Sequence, residues 1–212
     1  DHGTAIVMET ETGAIRAVAN LGRTKEGKYY EKLNYAIGES HEPGSTFKLM
    51  ALVAALEDQV VDTTTVFDTQ NGELTFYGKY KVRDSRKGGY GKIPITEIFE
   101  RSSNTGMVQA IYNEYNKKPE QFVNRLMNMG LSEPLGLPIL GEAKPVIPHP
   151  DKKGWSGISL PWMAYGYGVL MTIEDSSSNS NDGTSSGMTQ ANLVQSDLSF
   201  TSGYSPYALN FD

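Results

Sequence analysis

Apolar positions along the chain change period several times, and the changes outline its elements. Thr4-Ala5-Ile6-Val7-Met8 and Ala14-Ile15-Arg16-Ala17-Val18 are β-branched and apolar on either side of Thr12-Gly13. That pattern predicts strands near 4–9 and 14–19 joined as a hairpin, part of a central sheet. From Ser45 to Glu57 the run Phe47, Leu49, Met50, Ala51, Leu52, Val53, Ala54, Ala55, Leu56 is apolar almost all round, which predicts a buried helix opening after the chain break at Pro43-Gly44. A polar, β-rich section follows, and its Asn71-Gly72 pair predicts the turn of a small hairpin containing Leu74, Phe76, Tyr80 and Val82.

Helical spacing returns in a short stretch opening near Thr96 and again at Met107, Val108, Ile111, Tyr112 and Tyr115. Another helix is expected from Pro119 to Met129, with proline in its first turn, Phe122, Val123, Leu126 and Met129 on one side, and Gly130 as the stop. Prolines crowd the stretch from Pro134 to Pro150, which reads as an extended surface loop. After Thr172 the composition changes, and Glu174 to Gly187 is rich in Ser, Asn, Asp, Gly and Thr, as flexible segments are.

The helix from Ser45 carries the chemistry. Ser45 and Lys48 are one turn apart and lie on one face, so the hydroxyl and the amine can meet. Lys48 is the only charge between Ser45 and Leu56, and burial favours the neutral amine, which can serve a serine as general base. A Ser-x-x-Lys match arises by chance about once in such a chain. The alternative for Lys48 is a surface lysine snorkelling past an apolar face. Ser102-Ser103-Asn104 falls at a junction between two helices, where side chains can point into a cleft. There Ser102 suits passing a proton and Asn104 holding a peptide group, although both residue types also serve as ordinary helix caps and turn formers.

Taken together, these segments resemble the transpeptidase domain of penicillin-binding proteins, specifically the class B, division-type peptidoglycan transpeptidases, over about residues 3–172. Trp155 and the run Tyr165-Gly166-Tyr167-Gly168-Val169 resemble a late segment of the same family. The resemblance implies an α/β (α+β) fold, an antiparallel sheet with helices on both faces, as in the serine β-lactamases. It implies Ser45 as nucleophile, Lys48 as base, Ser102 as proton relay and Asn104 as the substrate-orienting amide. The implied partners are stem peptides ending in D-Ala-D-Ala, β-lactam antibiotics, and membrane proteins of cell division. The implied location is the bacterial cell envelope, on the outer face of the cytoplasmic membrane. Family members carry a membrane anchor and a non-catalytic pedestal before this domain, so the chain reads as an excised domain: residues 1–172 as transpeptidase and 173–212 as an atypical, low-complexity tail.

One family motif is missing. A Lys-Thr-Gly strand should follow the Gly-Tyr-Gly segment, but no Lys or Arg occurs after Lys153, and Thr201-Ser202-Gly203 has threonine where the cation belongs. A divergent tail, an engineered replacement and an unreliable sequence assignment all read alike here. The loss favours a catalytically silent penicillin-binding or sensor module as the rival reading. A serine β-lactamase ranks lower, since no deacylating glutamate is assignable.

Composition narrows the field. With 212 residues and 38% apolar content the chain can bury a real core. A net charge of −6 without a basic cluster gives a nucleic-acid role no electrostatic footing. No cofactor is implied. The three histidines, His2, His41 and His149, are far apart in sequence and there is no cysteine, so no metal is expected and His41 reads as a polar loop residue. No apolar run approaches the roughly 18–20 residues that span a membrane.

Overall fold

The computed structural model describes residues 2–31, 33–137 and 140–172, together with the strand pair Leu193–Val194 and Ala208–Leu209. These residues fall into two compact units. One holds residues up to His41, Glu133–Pro145 and those from Met171; the other holds Glu42–Ser132 and Val146–Leu170.

The first unit is built on the expected hairpin. Strands β1 (His2–Met8) and β2 (Ile15–Arg23) pair antiparallel from His2↔Gly22 to Met8↔Ile15, with a register shift at Val7/Met8. Gly13, at φ +70°, closes the turn between them, and its N–H donates to the Glu9 carbonyl. A short β3 (Tyr29–Tyr30) adds to β2, giving the order β1-β2-β3. Helix α1 (Tyr35–Gly38) has no cap of its own at Asn34. Asn20 supplies one from β2: its buried side chain accepts from the Ala36 N–H and donates to Asn34 Oδ1. Ile15, Ala36 and Ile37 form this unit's core with Leu135 and Leu137.

Those two leucines correct an expectation. The stretch from Pro134 is irregular, as its prolines dictate, but it is not simply a surface loop. Leu135 and Leu137 are turned inward because the hairpin and α1 alone leave one side of their apolar residues uncovered.

In the second unit a 3-10 turn, Gly44–Phe47, leads into α2 (Lys48–Glu57). Thus Ser45 lies in the tighter turn and Lys48 begins the α-helix, where the sequence suggested one helix from Ser45. Nor is α2 buried all round: Met50, Ala51, Ala54 and Ala55 are buried, whereas Leu56 is exposed. Strands β4 (Val66–Asp68) and β7 (Lys92–Pro94) pair with each other around a hairpin of β5 (Glu73–Phe76) and β6 (Tyr80–Arg83). The turn of that hairpin is Tyr77-Gly78, both at positive φ, and not Asn71-Gly72. Gly72 instead ends a turn after β4 and packs on Gly89, whose nitrogen would stand 2.8 Å from a Cβ added to Gly72.

Helices α3 (Ile95–Glu100), α4 (Asn104–Tyr115), α5 (Pro119–Asn128) and α6 (Ser159–Met163) complete the unit. Helices α2, α4 and α5 pack on one another through small and apolar residues, among them Ala51, Ala54, Val108, Ile111, Phe122 and Leu126. Tyr115 is buried among them, and its hydroxyl donates to Asp58, which also takes Arg125. Gly106 lets α4 approach α3, since a Cβ there would meet the Ile98 side chain at 2.7 Å. The expected strand at Thr201-Ser202-Gly203 and the segment Glu174 to Gly187 lie outside the described residues.

Candidate active site

Two local structures set up the site. The first is the turn Glu42-Pro43-Gly44 before Ser45. Gly44 sits at φ +59°, and its N–H donates to the Gly166 carbonyl at 3.0 Å. Glu42 accepts from the Gly168 N–H at 2.9 Å, so the Gly-Tyr-Gly segment holds the turn at both ends. The hydroxyl of Thr46 donates to the Pro43 carbonyl and closes the turn from inside. Ser45 itself remains exposed.

The second is the link between α3 and α4. Ser102 N–H donates to the Phe99 carbonyl and Ser103 N–H to the Ile98 carbonyl, the two bonds of a Schellman helix end. That motif puts Ser102 at φ +53°, a position usually given to glycine. Ser103 then caps α4 by accepting from the Gly106 N–H. A serine held in a left-handed conformation costs about 1–2 kcal/mol, and residues kept at such a cost cluster at functional sites.

Lys48 joins the two. Its Nζ lies 3.2 Å from Ser45 Oγ, 3.0 Å from Ser102 Oγ and 2.6 Å from the Ser102 carbonyl oxygen. The side chain is 1% exposed, so the snorkelling alternative does not describe it. Burial pulls its pKa down to about 8, against the charge of Asp84, which holds it up. At pH 7 about a tenth of the molecules then carry the free amine, against well under a thousandth for an ordinary lysine. The group stands between two hydroxyls and can exchange protons with either.

Asp84, just past β6, organises the N-terminus of α4. Its carboxylate accepts from the Thr105 N–H at 2.9 Å, the Thr105 hydroxyl at 2.7 Å and the Ser103 hydroxyl at 3.1 Å. A negative charge there also suits the helix dipole. Nothing in the sequence singles this residue out, because its partners come some twenty positions later.

Asn104 is placed by the same strand. Its Nδ2 donates to the Arg83 carbonyl at 2.7 Å, which fixes the orientation of the amide, and its Oδ1 is buried with no partner among the described residues. An orphaned acceptor of this kind costs about 1–3 kcal/mol until a donor arrives. Ser45, Lys48 and Ser102 are therefore directly connected, and Asn104 stands two residues beyond Ser102 with an open acceptor.

A serine reached by a buried lysine, which a second serine also touches, is an arrangement suited to acyl transfer. Residues 3–177 match the family model of the penicillin-binding protein transpeptidase domain, and the chain belongs to that family. Domains of this family bind penicillins and act on peptidoglycan. Among its relatives, the peptidoglycan D,D-transpeptidase FtsI of Buchnera aphidicola (Schizaphis graminum strain) is 29% identical over 177 residues, covering 81% of this chain and 29% of that protein. FtsI of Escherichia coli K12 is 26% identical over 181 residues, covering 81% and 28%. The chain thus spans less than a third of the length of these two relatives. The apo structure of the TP domain of Burkholderia pseudomallei penicillin-binding protein 3 shares the fold, with a TM-score of 0.64, 24% identity and coverage of 81% of this chain and 46% of that one. Mixed helices and antiparallel sheets agree with the expected fold class. Among the described residues no helix is long and apolar enough to cross a membrane.

Proposed function

We propose that the chain carries the acyl-transfer centre of a peptidoglycan D,D-transpeptidase, with residues 1–172 as its transpeptidase domain and 173–212 as an atypical tail. The observation that carries this reading is Lys48, buried and bonded to both Ser45 and Ser102. In its neutral form Lys48 takes the Ser45 proton as Oγ attacks the penultimate D-Ala carbonyl of a stem peptide. Ser102 passes a proton to the departing amine, the C–N bond breaks, and the terminal D-Ala leaves. An amine of a neighbouring strand then attacks the acyl-enzyme, forms the new amide and returns Ser45 to its hydroxyl form. Asn104 Oδ1 accepts from an amide N–H of the substrate, which satisfies the orphaned acceptor. The Ser45 N–H serves as one donor to the oxyanion; losing such a donor typically costs about 10²–10³ in rate.

The setting that suits this chemistry is the outer face of the cytoplasmic membrane, where the substrate and the membrane proteins of cell division meet. Penicillins would acylate the same serine. Intact mass after incubation with benzylpenicillin tests the reading: a single adduct mapping to the peptide with Ser45 is expected. An adduct on Ser102, or no adduct, would overturn it.

A further inference from the structure

We propose that His2, Glu39 and His41 form a zinc site in the first unit, remote in kind from the serine chemistry and independent of it. Their ligand atoms all lie within 4.8 Å of one another. Nε2 of His2 is 3.1 Å and Nε2 of His41 is 3.2 Å from the same oxygen, Glu39 Oε2. Tetrahedral zinc with bonds of 2.0–2.1 Å holds neighbouring ligand atoms roughly 3.3 Å apart, so both His–Glu39 distances already match the spacing, and the two imidazoles, within 4.8 Å of each other, need only a small side-chain adjustment. All three side chains are partly exposed, so solvent can reach the site and water can supply a fourth ligand.

Each ligand is anchored through its backbone or ring. His2 pairs with Gly22 in the β1-β2 ladder, and its imidazole lies flat on the Tyr35 ring, with centroids 4.2 Å apart and planes 14° apart. Tyr35 is fixed in turn, because its hydroxyl lies where a Cβ on Gly22 would be. Glu39 is the C-cap of α1. His41 exchanges two backbone hydrogen bonds with Met171, at 2.8 and 2.9 Å. A ligand set anchored in this way loses little freedom on binding a cation.

The donor set chooses the metal. Two imidazoles and one carboxylate suit zinc, whereas calcium and magnesium prefer oxygen ligands throughout. A dication among two neutral imidazoles and one carboxylate leaves a net charge of +1, which a solvent-accessible site tolerates because water solvates it. The ion would tie the start of β1, the end of α1 and the strand-like pairing at Met171 into one brace.

Calorimetric titration of the full chain with zinc chloride tests the site. One zinc per chain is expected, with affinity at least tenfold weaker in Glu39→Gln and in His41→Ala, unchanged in His149→Ala, and no binding of magnesium. Zinc at a hundredfold excess over its Kd should raise the melting temperature by roughly 5 °C. Cobalt(II) in place of zinc should give the intense visible absorption of a four-coordinate ion. No stoichiometric binding, a weak six-coordinate cobalt spectrum, or binding that survives both Glu39→Gln and His41→Ala would overturn the proposal. The last result would mean chelation by His2 and its neighbouring backbone. Circular dichroism of the variants establishes that they are folded, and the isosteric Glu39→Gln gives a readout if His41→Ala is not.

Discussion

Gly166 lies against Gly44 so closely that a Cβ on it would stand 1.9 Å from the Gly44 carbonyl oxygen. The contact is backbone to backbone, and Gly166 also has φ +86°, so no side chain can be fitted by a rotamer change. Gly166→Ala should therefore push the Glu42-Pro43-Gly44 turn and carry Ser45 with it. We expect a loss of about 2 kcal/mol or more in stability and a disproportionate loss of acylation. Chemical denaturation together with the penicillin acylation rate checks this; an Ala variant that acylates normally would show that the turn does not position Ser45.

Acylation should rise with pH. Lys48 must be neutral to accept the Ser45 proton, and its pKa is pulled down to about 8 by burial. Deprotonation increases as pH climbs through that value, so the rate should increase about tenfold per unit below it and level off above. A flat profile between pH 6 and 9 would remove Lys48 as the titrating base.

Lys48→Arg keeps a positive charge but cannot release it at ordinary pH. Acylation should fall by about 10²–10⁴, the usual share of a general base. Near-normal acylation in a folded Arg variant would assign the base elsewhere.

Asp84→Asn removes the charge that holds the Lys48 pKa up. The midpoint of the acylation profile should move below that of the parent protein. Stability should drop by about 1–3 kcal/mol, because three donors at the start of α4 lose a charged acceptor. A midpoint shifted upward would contradict the sign of this interaction.

Ser102 offers a comparison of two variants. Ser102→Ala and Ser102→Gly both lose the hydroxyl that Lys48 touches, and both should acylate or turn over poorly. Only glycine relieves the left-handed backbone at φ +53°. Ser102→Gly should be more stable than Ser102→Ala by about 1 kcal/mol. Equal melting temperatures would mean that the helix end carries no strain.

What could be read from the sequence was local. Ser45 and Lys48 are three apart, the β1-β2 hairpin is announced by β-branched and apolar residues on either side of Thr12-Gly13, and α5 by its proline start and apolar face. What could not be read depends on contacts between distant segments. Asp84 gains its role only when β6 meets α4, and Gly166 only when it reaches Gly44. The pairing of His2 and His41 on Glu39 appears only after β1 and α1 have folded together. Asn71-Gly72 misled because a glycine at positive φ serves close packing as readily as a hairpin turn. The hairpin's own turn uses Tyr77, a residue that turn chemistry does not flag.

The core of the first unit also sets an order of events during synthesis. Ile15, Ala36 and Ile37 leave the ribosome early, but Leu135 and Leu137, which cover them, come only after the whole of α2 to α5 has been made. At roughly 5–20 residues per second the hairpin waits seconds with an apolar face wet. Such a face is open to wrong partners for that time, so chaperone dependence and aggregation on rapid expression should be properties of this end of the chain.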